Sequence, residues 1–467
     1  MNPIELFIEK MRKEHLPKAA IDTFNYYYEN LKTGDTGLIS ENDITPLAPN
    51  EIEHLSSIEH IPQNDNLELL KKVVCIKLNG GLGTTMGLEG PKSLIPVKDN
   101  LNFLEITCKQ INTFNKTNNV NVPLILMNSF RTEKDSINAL KKNLSCHPDI
   151  PISFTQHKFP KIIASSLLPA NYPDNPELEW NPPGHGDLYI AFQTSGILPK
   201  LIDKGFRYAF ISNIDNLGAS LNPTILNYIA KKQISFLMEV TNRTWMDRKG
   251  GHLARLKNGY LVLREAAQCP DKDIDSFRNI SRHRFFNTNN LWIDLIALKD
   301  KLECSQNFLN LPMIRNRKKL NPVDRTSPDI YQVESAMGTA ISVFENSTAL
   351  EVPRSRFIPV KNSEDLLLLW SDAFIIDNQF RIISNPSRKH KDITIQLDPE
   401  HFLFLNQMKS HFPHGAPSLA DCKTFSIKGD ICFGKNIKII DSVELTNSQK
   451  SPIFISDNSI IDKNIAF

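Results

Sequence analysis

Apolar residues near the start of the chain recur at spacings of three and four: Ile4, Phe7 and Met11, then Ile21, Phe24, Tyr28 and Leu31. That period predicts two amphipathic helices separated at Pro17, and a helical character is expected across the first sixty residues. From Val73 the pattern changes. Val73 to Leu78 is a short β-rich run ending in glycines, and Leu124 to Met127, Ile152 to Thr155, Tyr208 to Ser212 and Phe236 to Val240 predict further strands. Helical segments lie between several of them, one opened by Asn222 as N-cap with Pro223 at the first helical position. Alternation of this kind predicts an α/β fold. Asn258-Gly259, flanked by Leu253 to Leu256 and Tyr260 to Leu263, predicts a hairpin and hence a mixed sheet, with no chemistry expected at the turn.

Near the C-terminus apolar residues recur every sixth position in two registers, Phe425, Ile431, Ile437, Val443 and Ile427, Phe433, Ile439, Leu445. Small or polar residues fill the intervals. A six-residue repeat lets each layer of side chains stack on the next coil of a parallel β-helix, the alternative being a meander of short strands.

The 467 residues suggest about three domains, and 40% apolar content suffices for buried cores. Lys plus Arg number 54 against 52 Asp plus Glu, for a net +2, so no overall field attracts nucleic acid or an anionic membrane and any anion site must be local. The longest apolar runs, such as Leu366 to Trp370, are far short of a membrane span, and the charged stretch from Lys10 to Lys18 lacks a signal-peptide apolar core. Seven cysteines, at 75, 108, 146, 269, 304, 422 and 432, form no C-x-x-C pair. They are expected as thiols, mostly buried, in a cytoplasmic protein. The basic run Arg315 to Lys319 is expected in a solvated loop.

In open α/β sheets ligands sit beyond the carboxyl ends of the strands, so the residues after each apolar run carry the functional signal. Asn79-Gly80-Gly81-Leu82-Gly83-Thr84-Thr85-Met86-Gly87 lets backbone N–H groups approach an anion without a Cβ in the way. This segment is neither a Walker A loop, because Pro91 separates Gly90 from Lys92, nor a dinucleotide fingerprint, because its last glycine interval is one residue too long. Lys92 is a candidate phosphate cation. Asp215, beside Asn213 at a strand end, is a candidate Mg²⁺ ligand that would share the ion with phosphates and water. Pro182-Pro183-Gly184-His185-Gly186-Asp187 holds a histidine between two glycines, which favours close approach of a ligand.

Together these segments resemble the eukaryotic-type UTP-glucose-1-phosphate uridylyltransferases, or UDP-glucose pyrophosphorylases. The motifs are K-L-N-G-G-L-G-T-T-M-G with G-P-K-S-L-I (Lys77 to Ile95), P-P-G-H-G-D (Pro182 to Asp187), S-N-I-D-N-L-G-A (Ser212 to Ala219), F-N-T-N-N-L-W (Phe286 to Trp292) and V-P-R-S-R-F-I-P-V-K (Val352 to Lys361). The resemblance implies a Rossmann-like nucleotidyltransferase domain with a mixed sheet, an N-terminal helical region and a C-terminal left-handed parallel β-helix, with boundaries expected at 1–66, 67–380 and 381–467. It further implies that Leu78, Asn79, Gly80, Gly81 and Gln156 hold the nucleotide, with Gly184 lining it. His185 would meet the sugar phosphate, Asn213 and Asp215 the ribose, sugar and metal, and Gly251, Asn289 and Glu334 the sugar hydroxyls. Lys92 and Lys361 would flank the reacting phosphates. The chain departs from the family pattern at Phe154-Thr155-Gln156-His157, where F-N-Q-S is usual, and at Leu88-Glu89, where a small or basic pair is usual.

The implied reaction joins UTP and glucose 1-phosphate, with Mg²⁺, into UDP-glucose and pyrophosphate. No nucleophile with its own base stands out, as direct displacement at the α-phosphorus requires. Alternatives are a sibling pyrophosphorylase for another sugar phosphate, an NAD-dependent dehydrogenase, which the glycine spacing disfavours, and a non-catalytic scaffold. Small-molecule substrates are the expected partners, with no nucleic acid or membrane, and the C-terminal repeat offers a surface for a homo-oligomer.

Overall fold

Short apolar runs bounded by glycine and polar residues become the buried strands of one sheet. The computed structural model describes residues 2–58, 66–88, 90–143, 147, 149–306 and 308–467, so Cys146 and Glu89 lie outside the described residues. The principal strands are β1 (Val73–Asn79), β2 (Leu124–Asn128), β3 (Ser153–Thr155), β4 (Tyr208–Asn213), β5 (Phe236–Asn242), β6 (His252–Leu256), β7 (Leu261–Arg264), β8 (Phe285–Asp294) and β9 (Ser347–Glu351). β4, β1, β2 and β3 lie side by side and parallel. β8 runs antiparallel between β4 and β5, and β9 is parallel to β5, so the sheet is mixed. β6 and β7 form the hairpin expected at Asn258-Gly259.

Both faces of the sheet are covered, which is why its strands are continuously apolar rather than alternating. Val74 and Ile76 pack into a core with Leu188, Phe192 and Leu198, while Val73 and Cys75 face a second core with Phe103, Leu104 and Ile225. Helix α3 (Phe103–Asn118) starts on a capping box between Asn102 and Glu105. Helix α4 (Pro223–Lys232) starts where expected, with the Asn222 side chain accepting from the Thr224 and Ile225 amides.

Helices α1 (Pro3–Lys13) and α2 (Lys18–Lys32) follow the three-four pattern and bury Phe7, Phe24 and Tyr28 against Phe159, Ile162 and Val333. Beyond Lys32 the expectation of continued helix fails: Gly34, Gly37, Pro46 and Pro49 break the period. Ile44–Thr45 pairs with β6 and Glu53–His54 with β9 instead, extending the sheet. The basic run is likewise no loop. Ile314–Lys319 is a strand antiparallel to Asp329–Glu334, where Arg317 (2.8 Å) and Lys319 (3.0 Å) both reach Asp329.

The C-terminal strands form three parallel ladders. Thr394–Gln396, Cys422–Lys428, Asp441–Thr446 and Ile465–Ala466 make one; Ile431–Phe433 with Ile453–Ile455, and Lys438–Ile439 with Ile460–Ile461, make the others. Phe425 stacks on Val443 and Ile427 on Leu445, three hexads on, and all eight hexad residues are buried in one core. Among the described residues no helix is long and apolar enough to cross a membrane, and none of the six described cysteines is in a disulfide.

Beneath the carboxyl ends of the central strands lies a buried polar network. Glu239 of β5, fully buried, accepts from Arg356 through Nε and Nη2 (both 2.7 Å), from Asn290 Nδ2 (3.0 Å) and from Trp292 Nε1 (2.9 Å). Asn216 Nδ2 donates to Asn290 Oδ1 and to the Arg356 carbonyl, while its Oδ1 accepts from the Ile358 amide. Glu239→Gln leaves the Arg356 guanidinium buried without its counter-charge, and a loss of about 3–5 kcal/mol is expected in denaturant unfolding. A change below 1 kcal/mol, a value typical of an exposed pair, would show that the network is not holding the fold.

Candidate active site

The carboxyl ends of β1, β3 and β4 open into a cleft of about 300 Å³, lined by the end of β1, Lys92, Gln156, the loop at Gly184 and His185, and Asn213 to Asp215. A slightly larger cleft of about 330 Å³ lies elsewhere, along α3. Its lining cations are already engaged: Arg356 with Glu239, Lys77 with Ser212 Oγ and the Ala219 carbonyl, and Arg381 with Asp377.

After β1 the glycine-rich segment doubles back. Leu82 bridges to Pro91, and the Lys92 amide donates to the Gly81 carbonyl (3.2 Å), which brings Lys92 beside the glycines it follows in sequence. Lys92 Nζ donates to Asp215 Oδ2 (2.6 Å) and to the Val360 carbonyl. One ammonium thus joins the loops after β1, β4 and β9. Gln156 emerges from β3 with its side-chain amide against Gly80, where a Cβ would lie 3.0 Å from Nε2. Gly184 holds φ at +79° with its α-carbon pressed on the Ser335 carbonyl, a position only glycine tolerates.

His185 Nδ1 accepts from the Met337 amide (2.9 Å). The ring proton therefore sits on Nε2, and burial pulls the imidazole pKa down to about 4. At neutral pH this side chain is an uncharged donor. His157, which stands where the family usually has serine, fixes the two sides of the cleft together. Its amide donates to Asp187 Oδ2 (2.6 Å), Nδ1 faces Asp187 Oδ1 (2.8 Å) and Nε2 faces Thr194 Oγ1 (3.1 Å).

Of the residues singled out in the sequence, Leu78, Gly80, Gly81, Lys92, Gln156, Gly184, His185, Asn213 and Asp215 line this one cleft. Asn79 does not: its side chain turns inward and donates to Asn128 Oδ1 (2.8 Å) and Ser136 Oγ (2.7 Å). Glu334 adjoins Gly184, and burial raises its carboxyl pKa, opposed by Lys318 and a hydrogen bond from Asn316. Gly251 and Lys361 gather at a neighbouring point. Lys361 Nζ lies over the rings of Phe286 (5.7 Å) and Phe357 (5.9 Å), while Gly251 packs on the carboxylate of Glu265. Asn289 sits at φ +57° in the irregularity where β8 slips register against β5, with its Oδ1 accepting from Asn287.

Glu265 escaped the sequence reading. It follows β7, the second arm of the hairpin, and only the fold brings it under Gly251. Burial pushes its carboxyl up to about 7, with the Lys361 ammonium opposing. Asp215 is the one carboxylate among the described residues lining the cleft. A single hard oxygen donor suits Mg²⁺, which takes one or two carboxylates and completes its shell with phosphates and water.

A glycine loop, an amide, a neutral imidazole and a lysine–aspartate pair at the carboxyl ends of the parallel strands of a mixed sheet fit a nucleotidyltransferase. The sequence profile of the UTP--glucose-1-phosphate uridylyltransferase family matches residues 21–440. A UTP--glucose-1-phosphate uridylyltransferase of Encephalitozoon cuniculi is 38% identical over 98% of this chain and 90% of its own length. A Trypanosoma brucei structure described as UDP-glucose phosphorylase superposes with a TM-score of 0.90 at 41% identity, covering all of both chains. A Leishmania major UDP-glucose pyrophosphorylase mutant in complex with UDP-glucose superposes at 0.92 with 38% identity, over 100% of this chain and 99% of that one. The chain belongs to the UTP--glucose-1-phosphate uridylyltransferase family.

His185 and Glu265 bend stability with pH in opposite senses. Folded His185 refuses a proton that the unfolded chain accepts at 6.5, so stability falls as pH drops from 6.5 to about 4. Folded Glu265 keeps a proton that the unfolded chain releases at 4.5, so its part of the stability falls as pH rises from 4.5 to about 7. Denaturant unfolding across this range is expected to lose the first slope in His185→Gln and the second in Glu265→Gln. Parallel profiles for variants and parent would contradict the placement of both groups.

Proposed function

We propose that this chain transfers the uridylyl group of UTP to glucose 1-phosphate. A phosphate oxygen of the sugar phosphate forms a bond to the α-phosphorus, the bond from that phosphorus to the β-phosphate bridge oxygen breaks, and pyrophosphate leaves. The observation that carries this reading is the convergence of the glycine loop, Gln156, His185, Lys92 and Asp215 on one cleft.

The attacking phosphate is largely dianionic at neutral pH, its second pKa being near 6, so no general base is needed. Repulsion is the obstacle: one unit pair at 4 Å costs about 4 kcal/mol at an effective dielectric of 20, and these reactants carry several charges. The backbone of Gly80 and Gly81 admits the phosphates closely, and the Gln156 amide donates to and accepts from the uracil edge. His185 donates from Nε2 to a phosphate oxygen without adding a charge that pH would remove. Lys92 and Lys361 neutralise the attacking and leaving oxygens and hold them in line. Asn213, Gly251, Asn289 and Glu334 read the sugar hydroxyls. Asp215 would hold Mg²⁺, which supplies further charge neutralisation on the phosphates.

We read the C-terminal ladders as the faces of a left-handed parallel β-helix, with units at 1–66, 67–380 and 381–467, and the whole as a cytoplasmic enzyme. Phe454 and Ile460 stand 73% and 67% exposed on these ladders and would be covered by a second copy of the chain. Light scattering is expected to find an oligomer that Phe454→Glu dissociates; a monomer at all concentrations contradicts this surface.

Purified protein given UTP, glucose 1-phosphate and Mg²⁺ is expected to release UDP-glucose and pyrophosphate, and to regenerate UTP from those products, since one phosphoanhydride is exchanged for another. Lys361→Ala and Lys92→Ala should each lower turnover by about two to three orders of magnitude, the loss typical of one preorganised donor. Preference for another sugar phosphate would select the sibling activity, and turnover unchanged by either substitution would refute the assigned roles.

A further inference from the structure

Two short helices, Pro399–Phe402 and Leu405–His411, lie between the first ladder strand, Thr394–Gln396, and the next, Cys422–Lys428. His401 from the first, His411 from the second and Asp430, between the strands Cys422–Lys428 and Ile431–Phe433, each place one donor atom within 4.8 Å of the other two. Among the described residues no other cluster of three or more such side chains has this geometry. From the arrangement of these donors we infer a Zn²⁺ site, separate from the nucleotide cleft, formed by His401, His411 and Asp430.

The placement of the three donors carries the inference, and the hydrogen bonds of His411 are compatible with it. Its Nδ1 lies 2.7 Å from the Gln407 carbonyl, which can only accept, so Nδ1 bears a proton. Its Nε2 lies 3.0 Å from Asp430 Oδ1, and an ionised carboxylate also only accepts. Without an ion an imidazolium can donate to both oxygens; with an ion bound, Nδ1 keeps its proton and Nε2 turns its lone pair to the metal. A backbone carbonyl fixing Nδ1–H while Nε2 faces the ion is the usual support of a metal-bound imidazole. Zn–N and Zn–O bonds of ~2.0–2.1 Å in a tetrahedron separate ligand atoms by ~3.3 Å, so on binding the 3.0 Å contact opens slightly and donors standing up to 4.8 Å apart close on the ion. Two imidazoles and one carboxylate match a borderline ion such as Zn²⁺ better than Mg²⁺ or Ca²⁺, with water as fourth ligand.

The donors sit on a fixed frame. Asp398, which caps the first helix, accepts from the Gly429 amide (2.7 Å), and the Asp430 carbonyl accepts from Asn447 Nδ2 (2.7 Å). The link between the helices reaches the catalytic side: Phe404 packs on Gly87 of the glycine-rich segment, and the Leu403 carbonyl accepts from Ser363 Oγ (2.9 Å), two residues after Lys361. The ion would clamp this link to the ladders and take no part in chemistry.

Chelator-treated full-length protein, titrated with Zn²⁺ alone and passed through gel filtration, is expected to retain one equivalent per chain and to unfold at a higher temperature. His401→Asn and Asp430→Asn should each weaken retention by at least tenfold while the apo proteins melt with the parent. Co²⁺ in place of Zn²⁺ should give visible d–d bands of four-coordinate intensity without sulfur charge-transfer, unchanged in Asp215→Asn. Sub-stoichiometric retention, binding by either variant as tight as the parent's, or a thiolate signature would each overturn the site.

Discussion

The buried contact between Glu239 and Arg356 is the constraint on which the catalytic edge depends. An ion pair taken out of water is costly unless its polar atoms find further partners, and here Asn290 and Trp292 donate to Glu239 while the Ser220 carbonyl accepts from Arg356 Nη2 (2.9 Å). Its consequence is positional. Arg356 anchors the segment that continues through Pro359, which bridges to Asn216, and Val360, whose amide donates to the Asp215 carbonyl (3.3 Å). The Val360 carbonyl is thereby delivered to Lys92, and Lys361 to the neighbouring space beside Glu265 and Gly251. Three loops distant in sequence are set against one another from below, leaving the cleft above them free for ligand.

That division of labour explains why the long motifs are dense with polar residues. In S-N-I-D-N-L-G-A, Asn213 and Asp215 line the cleft while Asn216 belongs to the network beneath it. In F-N-T-N-N-L-W, Asn290 and Trp292 serve Glu239, and in V-P-R-S-R-F-I-P-V-K the arginine at 356 does so while the lysine at the end faces outward. Sequence motifs record the support as fully as the surface it supports.

Much of the fold was legible because its physics is local. Val73 to Leu78 and Tyr208 to Ser212 are apolar on both faces since both faces are covered, and Asn222-Pro223 caps a helix by its own hydrogen bonds. The hexads at Phe425 and Ile427 announce stacking because each layer repeats the last. Glu239 was not legible: inside Phe236 to Val240 a single acid looks like a charge on a strand edge, and its partner lies more than a hundred residues away. Glu265 was hidden for the same reason, being assembled with Gly251 and Lys361 only by the fold. Asn79 shows the converse, a residue inside a phosphate-loop motif whose side chain packs inward. The stretch after Lys32 departed from helix because glycines and prolines interrupt it and the sheet offers unpaired edges nearby.

Among the described residues lining the cleft, the one lysine is closed on the one carboxylate, and His185 is neutral with a fixed tautomer. On the proposed reading, a diphosphate in this cleft would draw Lys92 from Asp215 and accept from His185 Nε2. The most direct test is a crystal structure of the chain with UDP-glucose. The account predicts the diphosphate between the Gly80–Gly81 backbone, Lys92 Nζ and His185 Nε2, with uracil on Gln156. A nucleotide bound outside this cleft, or bound within it while Lys92 and His185 point away, would contradict it.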